Sequence, residues 1–139
     1  MPSVRLQFDE KAIESGIKGV VTRLQYKASA PKVKQEVTGA YAEIVAQYVP
    51  YKTGALMKSA KVVPDGKDYA VRYSAQSKKG YDYADIQYQP EKYGENESSW
   101  NRHTPGTYSH WNRHLTSADK SWFLDEATRI IKEGIKDGR

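Results

Sequence analysis

The chain contains no cysteine among its 139 residues. This absence excludes disulfide bonds, thiolate zinc sites and cysteine nucleophiles. Long apolar runs are also missing, because no window approaches the roughly 18 apolar residues that a membrane span requires. The first residues lack the apolar run and the cleavage site of a secretion signal. We therefore expect a protein that is made in the cytoplasm and stabilised by packing or by association.

Catalytic motifs are equally scarce. The sequence has no G-x-S-x-G turn, which would expose a nucleophilic serine. It also has no phosphate-binding glycine loop, no dinucleotide fingerprint and no H-E-x-x-H pair. We expect that the protein is not an enzyme and that it uses no cofactor.

The few histidines are close together in the sequence. His103, His110 and His114 are the three that the chain contains, and the last two are four residues apart. On a helix this spacing would place two imidazoles on one face, where they could bind zinc. Pro105 and Gly106 are not typical of a helix, so the alternative is a set of histidines at a surface or an interface.

A second candidate metal site is an acidic stretch. Carboxylates of this kind bind magnesium in nucleases. The residues are Asp82, Asp85, Glu91, Glu95 and Glu97. Charges on solvated strand edges and loops explain the same residues more simply, so we predict no metal site.

Positive charge is in excess but is not concentrated. The net charge is +5, and no run of five or more basic residues occurs. Residues 1–64 carry ten basic and five acidic side chains, whereas residues 65–99 carry five basic and seven acidic ones. This distribution permits contact with nucleic acid or with an acidic partner, although it is weak evidence for either.

Aromatic residues of the amphipathic kind are abundant. The chain has eleven tyrosines and three tryptophans but only two phenylalanines. Such rings combine an apolar body with a polar tip and are enriched where protein surfaces meet. Four of them fall in the long segment from Gln89 to Thr116 and are our candidates for an oligomer interface: Tyr93, Trp100, Tyr108 and Trp111. With Arg102 and Arg113 they could instead stack on the bases of a nucleic acid.

Helical spacing of apolar residues predicts the main helices. The first covers about Glu10 to Leu24, and a longer one begins near Ser29 and Pro31 and ends before Pro50. A short helical turn follows from Thr53 to Ala60. Ser117 is the expected N-cap of a last helix, whose apolar face consists of Phe123, Ala127, Ile130, Ile131 and Ile135.

Alternating residues predict the strands. Lys61–Pro64 and Asp68–Ser74 flank an Asp65-Gly66 pair, which is typical of a tight hairpin turn. A third strand is expected at Tyr83–Tyr88. The sequence thus predicts a single α+β domain over residues 1–139. Its antiparallel sheet of three to four short strands is flanked by an N-terminal pair of long helices and a C-terminal helix.

The most distinctive stretch of the sequence is VPYKTGALMKSA, at Val49–Ala60. It resembles a motif of phage minor capsid and head-tail joining proteins, which runs roughly V-P-x-x-T-G-x-L-x-x-S. The matching residues are Val49, Pro50, Thr53, Gly54, Leu56 and Ser59. That family also has a hairpin followed by a Y-A-x-x-x-Y strand that leads into a glycine. Tyr83, Ala84 and Tyr88 fit this pattern, and Gly94 follows after an insertion. A tryptophan before the last helix is typical too, with Trp111 and Trp122 as candidates.

The resemblance implies a structural protein of a tailed bacteriophage. A tail-completion or head-tail joining protein of this kind would form a homo-oligomeric ring, a hexamer or a dodecamer, in the neck of the virion. Its partners would be other neck and tail proteins, with possible non-specific contact with genomic DNA in the channel and none with a membrane. The alternative function is that of a small basic DNA-binding protein.

Overall fold

The computed structural model describes residues 4–8, 26, 28–49, 55–74, 84, 88–93 and 110–136. The elements in chain order are strand β1 (Val4–Leu6), helix α1 (Pro31–Ala46), helix α2 (Ala55–Lys58), strand β2 (Lys61–Asp65), strand β3 (Asp68–Tyr73), 3₁₀ turns at Pro90–Tyr93 and Trp111–Arg113, and helix α3 (Ser117–Lys136). The chain therefore has a mixed α+β fold with an antiparallel sheet and a C-terminal helix, as predicted. No helix in this part of the chain is long and apolar enough to cross a lipid bilayer.

The three strands form one antiparallel sheet in the order β1-β3-β2. The central strand β3 pairs Val71 with Leu6 of β1 on one side and with Val62 of β2 on the other. Val71 and Tyr73 are both buried. The sheet thus joins the N-terminal segment to a hairpin in the middle of the chain.

The predicted strand at Tyr83–Tyr88 is wrong at the two positions that the structure describes. Ala84 and Tyr88 both have helical backbone conformation, and the third strand of the sheet is β1. Residues four apart share a face in a strand and in a helix alike. A short apolar pattern therefore fits both periods. With only three residues, β1 is too short to show any period.

The hairpin between β2 and β3 is confirmed. Asp65 pairs with Asp68, so that Gly66 and Lys67 form a two-residue loop. Gly66 has a φ of 65°, a value that glycine adopts without the steric cost that a Cβ imposes. A positive φ at the first loop position is what a type II′ turn requires, and this turn matches the twist of the two strands.

Helix α1 confirms the predicted long helix. Pro31 occupies its first turn, where a missing backbone N–H is tolerated. The buried residues are Val33, Val37, Thr38, Ala40, Tyr41 and Val45. Thr38 is compatible with this core because its Oγ1 donates a hydrogen bond to the Lys34 carbonyl at 2.9 Å. The helix predicted at residues 10–24 lies outside the described residues.

Helix α3 packs against α1 at a glycine. A Cβ atom at Gly134 would lie 2.7 Å from Cγ2 of Val33, so that only hydrogen fits between the two helices there. Phe123, Ile130 and Ile131 of the same helix are buried. The packing of the two helices therefore depends on the size of the residue at position 134.

An aromatic cluster connects β1 to both long helices. Phe8, just after β1, contacts Tyr41 of α1 with ring centroids 5.9 Å apart and Phe123 of α3 with centroids 5.3 Å apart. Its ring also contacts Tyr26 at 5.4 Å in an edge-to-face arrangement. Such pairs add roughly 0.5–1.5 kcal/mol each beyond the burial of apolar area. Phe8 thus anchors the N-terminal strand.

The start of α3 is capped by Thr116, which corrects the prediction of Ser117. The Asp119 amide donates to Thr116 Oγ1 at 3.1 Å, and the Thr116 amide donates to Asp119 Oδ2 at 2.9 Å. This reciprocal pair is a capping box with Asp in place of Glu. Asp119 also accepts hydrogen bonds from Gln47 Nε2 at 3.0 Å and from the Tyr48 hydroxyl. One carboxylate therefore joins the end of α1 to the start of α3.

We expect the substitution Asp119→Asn to destabilise the protein by about 1 kcal/mol at neutral pH, the usual size of a lost capping interaction. Desolvation opposes ionisation of Asp119, but the hydrogen bonds from Tyr48, Thr116 and Gln47 outweigh it and lower its pKa. The carboxylate therefore stabilises the fold above the pKa of the unfolded chain, near 3.9, and this stabilisation is lost as the pH falls through the folded-state value.

Urea unfolding at a series of pH values measures the effect. The difference in the free energy of unfolding between wild type and Asp119→Asn should be largest near pH 7 and should decrease in acid. Asp125→Asn, a matched change of an exposed residue on the same helix, serves as the control. A difference that is constant from pH 7 to pH 3 would contradict this role of the carboxylate.

Candidate functional site

Three of the motif residues that the structure describes lie in the protein interior. Val49 follows the end of α1 and is buried, Leu56 of α2 is buried, and Ala84 is completely buried. All three belong to the same hydrophobic cluster. Pro50, Thr53, Gly54 and Tyr83 lie outside the described residues. Val49, Leu56 and Ala84 therefore contribute apolar packing to the core.

Ser59, the last residue of the motif, connects two elements. Its Oγ donates a hydrogen bond to the Leu56 carbonyl at 2.7 Å and accepts one from the Ser74 amide at 3.2 Å. Because Ser74 directly follows β3, the hydroxyl joins the end of α2 to the end of the central strand. Ser59 thus has a structural role.

Trp111 is the centre of a second aromatic cluster. Its ring contacts Tyr73 of β3 with centroids 5.1 Å apart and Tyr88 with centroids 4.8 Å apart, both edge to face. Its exposed fraction is 0%. The prediction that Trp111 contacts a neighbouring subunit is therefore wrong, because its ring packs inside its own subunit.

Polar contacts fix the turn that carries Trp111. The His110 amide donates to the Tyr88 carbonyl at 2.9 Å, and the Tyr88 hydroxyl donates to Asn112 Oδ1 at 2.5 Å. His110 adopts a left-handed conformation with a φ of 45°, which is uncommon for a residue with a side chain. These hydrogen bonds hold the turn against Tyr88, with the Trp111 side chain in the core.

The histidines that flank this turn do not form a metal site with the other described residues. Nε2 of His110 lies 2.6 Å from Oε1 of Glu91. The pKa of Glu91 is lowered, first by a hydrogen bond from its own backbone and then by His110. His114 caps the other end of the turn. Among the described residues, no group of three or more acidic or histidine side chains could hold a metal ion. His103, Asp82, Asp85, Glu95 and Glu97 lie outside them.

Two polar atoms in the Trp111 cluster are buried without a partner. The Tyr73 hydroxyl and the Trp111 indole nitrogen both lack a hydrogen bond to any described residue. Burial raises the pKa of Tyr73, and the nearby Trp111 indole lowers it by a smaller amount. The phenol therefore stays neutral at physiological pH.

Of the other predicted interface residues, Trp100 and Tyr108 lie outside the described residues. Tyr93 ends the 3₁₀ turn Pro90–Tyr93, and its side chain is not among those described. The large hydrophobic residues that are exposed in the described part are instead Trp122, at 37%, and Ile135, at 53%. Both lie on α3. Ile135 was predicted to belong to the buried face of that helix, and its exposure corrects this prediction.

Three basic side chains lie in one row across the sheet. Arg5 of β1 is directly opposite Arg72 of β3, and Lys61 of β2 is directly opposite Arg72 on the other side. Directly opposite residues project from the same face, and neighbouring strands are about 4.8 Å apart. The three charges therefore span about 10 Å. We refer to Arg5, Arg72 and Lys61 as the cation row.

The cation row could not have been recognised in the sequence. Its members are far apart in the chain, and only the pairing of three strands brings them together. Arg5 and Lys61 are exposed, whereas Arg72 is half-buried. Nε of Arg72 is enclosed and has no hydrogen-bond partner among the described residues. No hydrogen bond or ion pair joins the side chains of the row to another described residue.

Comparisons of the chain with protein-family models, with curated proteins and with solved structures found no match.

Proposed function

We propose that the protein is a structural subunit of a tailed bacteriophage particle, a tail-completion or head-tail joining protein that forms a ring in the neck of the virion. It is not an enzyme in this proposal. The helix predicted at residues 10–24 would form the N-terminal pair with α1. The family resemblance of Val49–Ala60 is the basis of the proposal.

The observation that carries the proposal is the position of the motif residues. Val49, Leu56 and the more distant Ala84 are buried in one cluster, and Ser59 joins two elements by hydrogen bonds. Residues in such positions stabilise the shape of a subunit, as expected of a structural protein. This supports a resemblance in structure between the chain and the joining proteins.

Helix α3 supports the ring. At 100° per residue, Trp122 and Ile135 are separated by about 140° around the helix axis, so they belong to two different surfaces. A closed ring needs two different surfaces on each subunit, because every interface joins one kind of surface to the other.

Trp122 also precedes Glu126, Arg129 and Glu133 at spacings that place all four on one side of the helix. Arg129 forms ion pairs with Glu126 at 2.8 Å and with Glu133 at 3.0 Å.

Deletion of the gene from the phage tests the proposal directly. We expect electron micrographs of the lysate to show filled heads and finished tails that are not joined. Intact, infectious virions in the absence of the protein would overturn it.

We expect the double substitution Trp122→Ala/Ile135→Ser to weaken association between subunits by more than about 1 kcal/mol, as for a central interface aromatic residue. The fold should be retained because both side chains are exposed. Sedimentation velocity measures the assembly state, and circular dichroism checks the fold. Ser121→Ala, on the exposed part of the same helix, is the control. Unchanged sedimentation of the double variant would exclude these residues from the interface.

The cation row favours the alternative, a small basic DNA-binding protein. Salt dependence separates the two functions, because binding that is driven by phosphates weakens steeply as salt increases. A dedicated DNA-binding protein should still bind free duplex tightly at physiological salt. A ring subunit should show little binding under those conditions.

A further inference from the structure

We propose that the cation row of Arg5, Arg72 and Lys61 binds the phosphate backbone of a nucleic acid without reading its sequence. The proposal concerns the face of the sheet opposite to the buried Val71 and Tyr73 and does not require that the protein belong to a virion. It rests on the strand register, on the exposure of Arg5 and Lys61 and on the absence of charged partners among the described residues.

The row is unfavourable for the isolated fold. Like charges that are directly opposite in a sheet are destabilising, and here Arg72 has a cation on either side. None of the three has an ion pair with a described residue that would offset this repulsion. An arrangement that destabilises the isolated fold and has no compensating contact is typical of a functional site. An anionic ligand would remove the repulsion.

The chemistry of the row fits phosphate. Two of its three members are arginines, whose planar guanidinium groups bind phosphate with two parallel hydrogen bonds. The charges repeat at the strand spacing of about 4.8 Å, so that they form a line. A linear polyanion can contact the whole row at once.

An acidic protein fits the row less well. The core of a protein interface contains exposed apolar and aromatic residues and few lysines. The large hydrophobic residues exposed in the described part of the chain are on α3, not beside the row. The chain also has a net charge of +5, which attracts a polyanion from a distance.

Three phosphate contacts give weak binding that depends strongly on salt. Each contact contributes about 0.9 to the slope of log affinity against log salt, so the row accounts for a slope of about −2.7. Raising the salt fourfold therefore lowers its contribution to the affinity by about 40-fold. A single subunit should bind at low salt and release the DNA near physiological salt.

Fluorescence anisotropy with a labelled 20-base-pair duplex tests the proposal on the full chain between 50 and 200 mM NaCl. The test variant is Arg5→Gln/Lys61→Gln. The matched control is Lys120→Gln/Lys132→Gln, which removes the same charge from exposed positions of α3. We expect the test variant to reduce the slope by about two and the affinity at 50 mM by at least about tenfold. The control should keep the wild-type slope.

Thermal unfolding of the same proteins separates binding from folding. The test variant should be at least as stable as wild type, because the change removes repulsion within the row. Equal losses of affinity in test variant and control would overturn the proposal, since net charge alone would then explain binding. Absence of binding by wild type at 50 mM would also overturn it. Displacement of the duplex by polyglutamate as effectively as by unlabelled DNA would assign the row to an acidic protein instead.

Discussion

Replacing Trp111 with alanine is expected to destabilise the subunit by about 3 to 5 kcal/mol, the range for truncating a large buried aromatic residue. The indole is completely buried and contacts both Tyr73 and Tyr88. Its nitrogen makes no hydrogen bond to a described residue, so the loss comes from apolar contacts and from the cavity that remains. Because whole domains are stable by only about 5 to 15 kcal/mol, the variant should be close to unfolding at 37 °C.

Chemical denaturation monitored by far-UV circular dichroism measures this loss. Trp122→Ala is the matched control, since it removes the same side chain from an exposed site on α3. Because Trp122 is 37% exposed, its truncation should cost less than that of the completely buried Trp111. Equal effects of the two substitutions would show that Trp111 is not part of the core. Any assembly experiment that replaces Trp111 will report on folding, so interface tests should use exposed residues.

Replacing Gly134 with alanine is expected to destabilise the protein, whereas the same change at Gly39 should stabilise it. Alanine is favoured over glycine in a helix by about 1 kcal/mol. At Gly39 nothing lies within 4 Å of the added Cβ, so this gain should be seen in full. At Gly134 the added carbon would lie 2.7 Å from Val33. Overpacking of this kind costs about 1 to 3 kcal/mol.

Val33 cannot easily move away from the new methyl group. It is buried in α1, and a β-branched side chain in a helix has one strongly preferred rotamer. A double-mutant cycle with Val33→Ala tests the contact. The loss caused by Gly134→Ala should be smaller by about 1 kcal/mol or more when residue 33 is alanine, as for coupled neighbours. Additive effects would contradict a direct contact between the two positions.

Helix α3 carries the large hydrophobic residues that are exposed in the described part of the chain, whereas the predicted interface residue Trp111 is buried. The aromatic composition predicts interfaces. Trp111 is a predicted interface residue because it lies in a long polar segment. The His110 amide donates a hydrogen bond to the Tyr88 carbonyl. This bond places Trp111 beside Tyr88, in the core. Trp122 is adjacent to the buried Phe123 in sequence, yet one residue along a helix turns the side chain by about 100°. It is therefore exposed.

The local patterns that were predicted correctly have local causes. The Asp65-Gly66 hairpin depends on the conformations available to glycine. The course of α1 from Pro31 follows from a continuous apolar stripe and from the tolerance of its first turn for proline. The start of α3 was predicted within one residue, and the cap is Thr116 because a hydroxyl three positions before Asp119 completes a reciprocal pair of bonds.

By itself, the sequence determined the α+β class, the hairpin, the long helix and the last helix, because each depends on interactions within a few residues. Tertiary structure decided which strand completes the sheet, which tryptophan is buried and where the cation row forms. These three features depend on contacts between residues that are distant in the chain, such as Arg5 with Arg72 and Tyr73 with Trp111. Such contacts exist only after the chain has folded, and no local period encodes them.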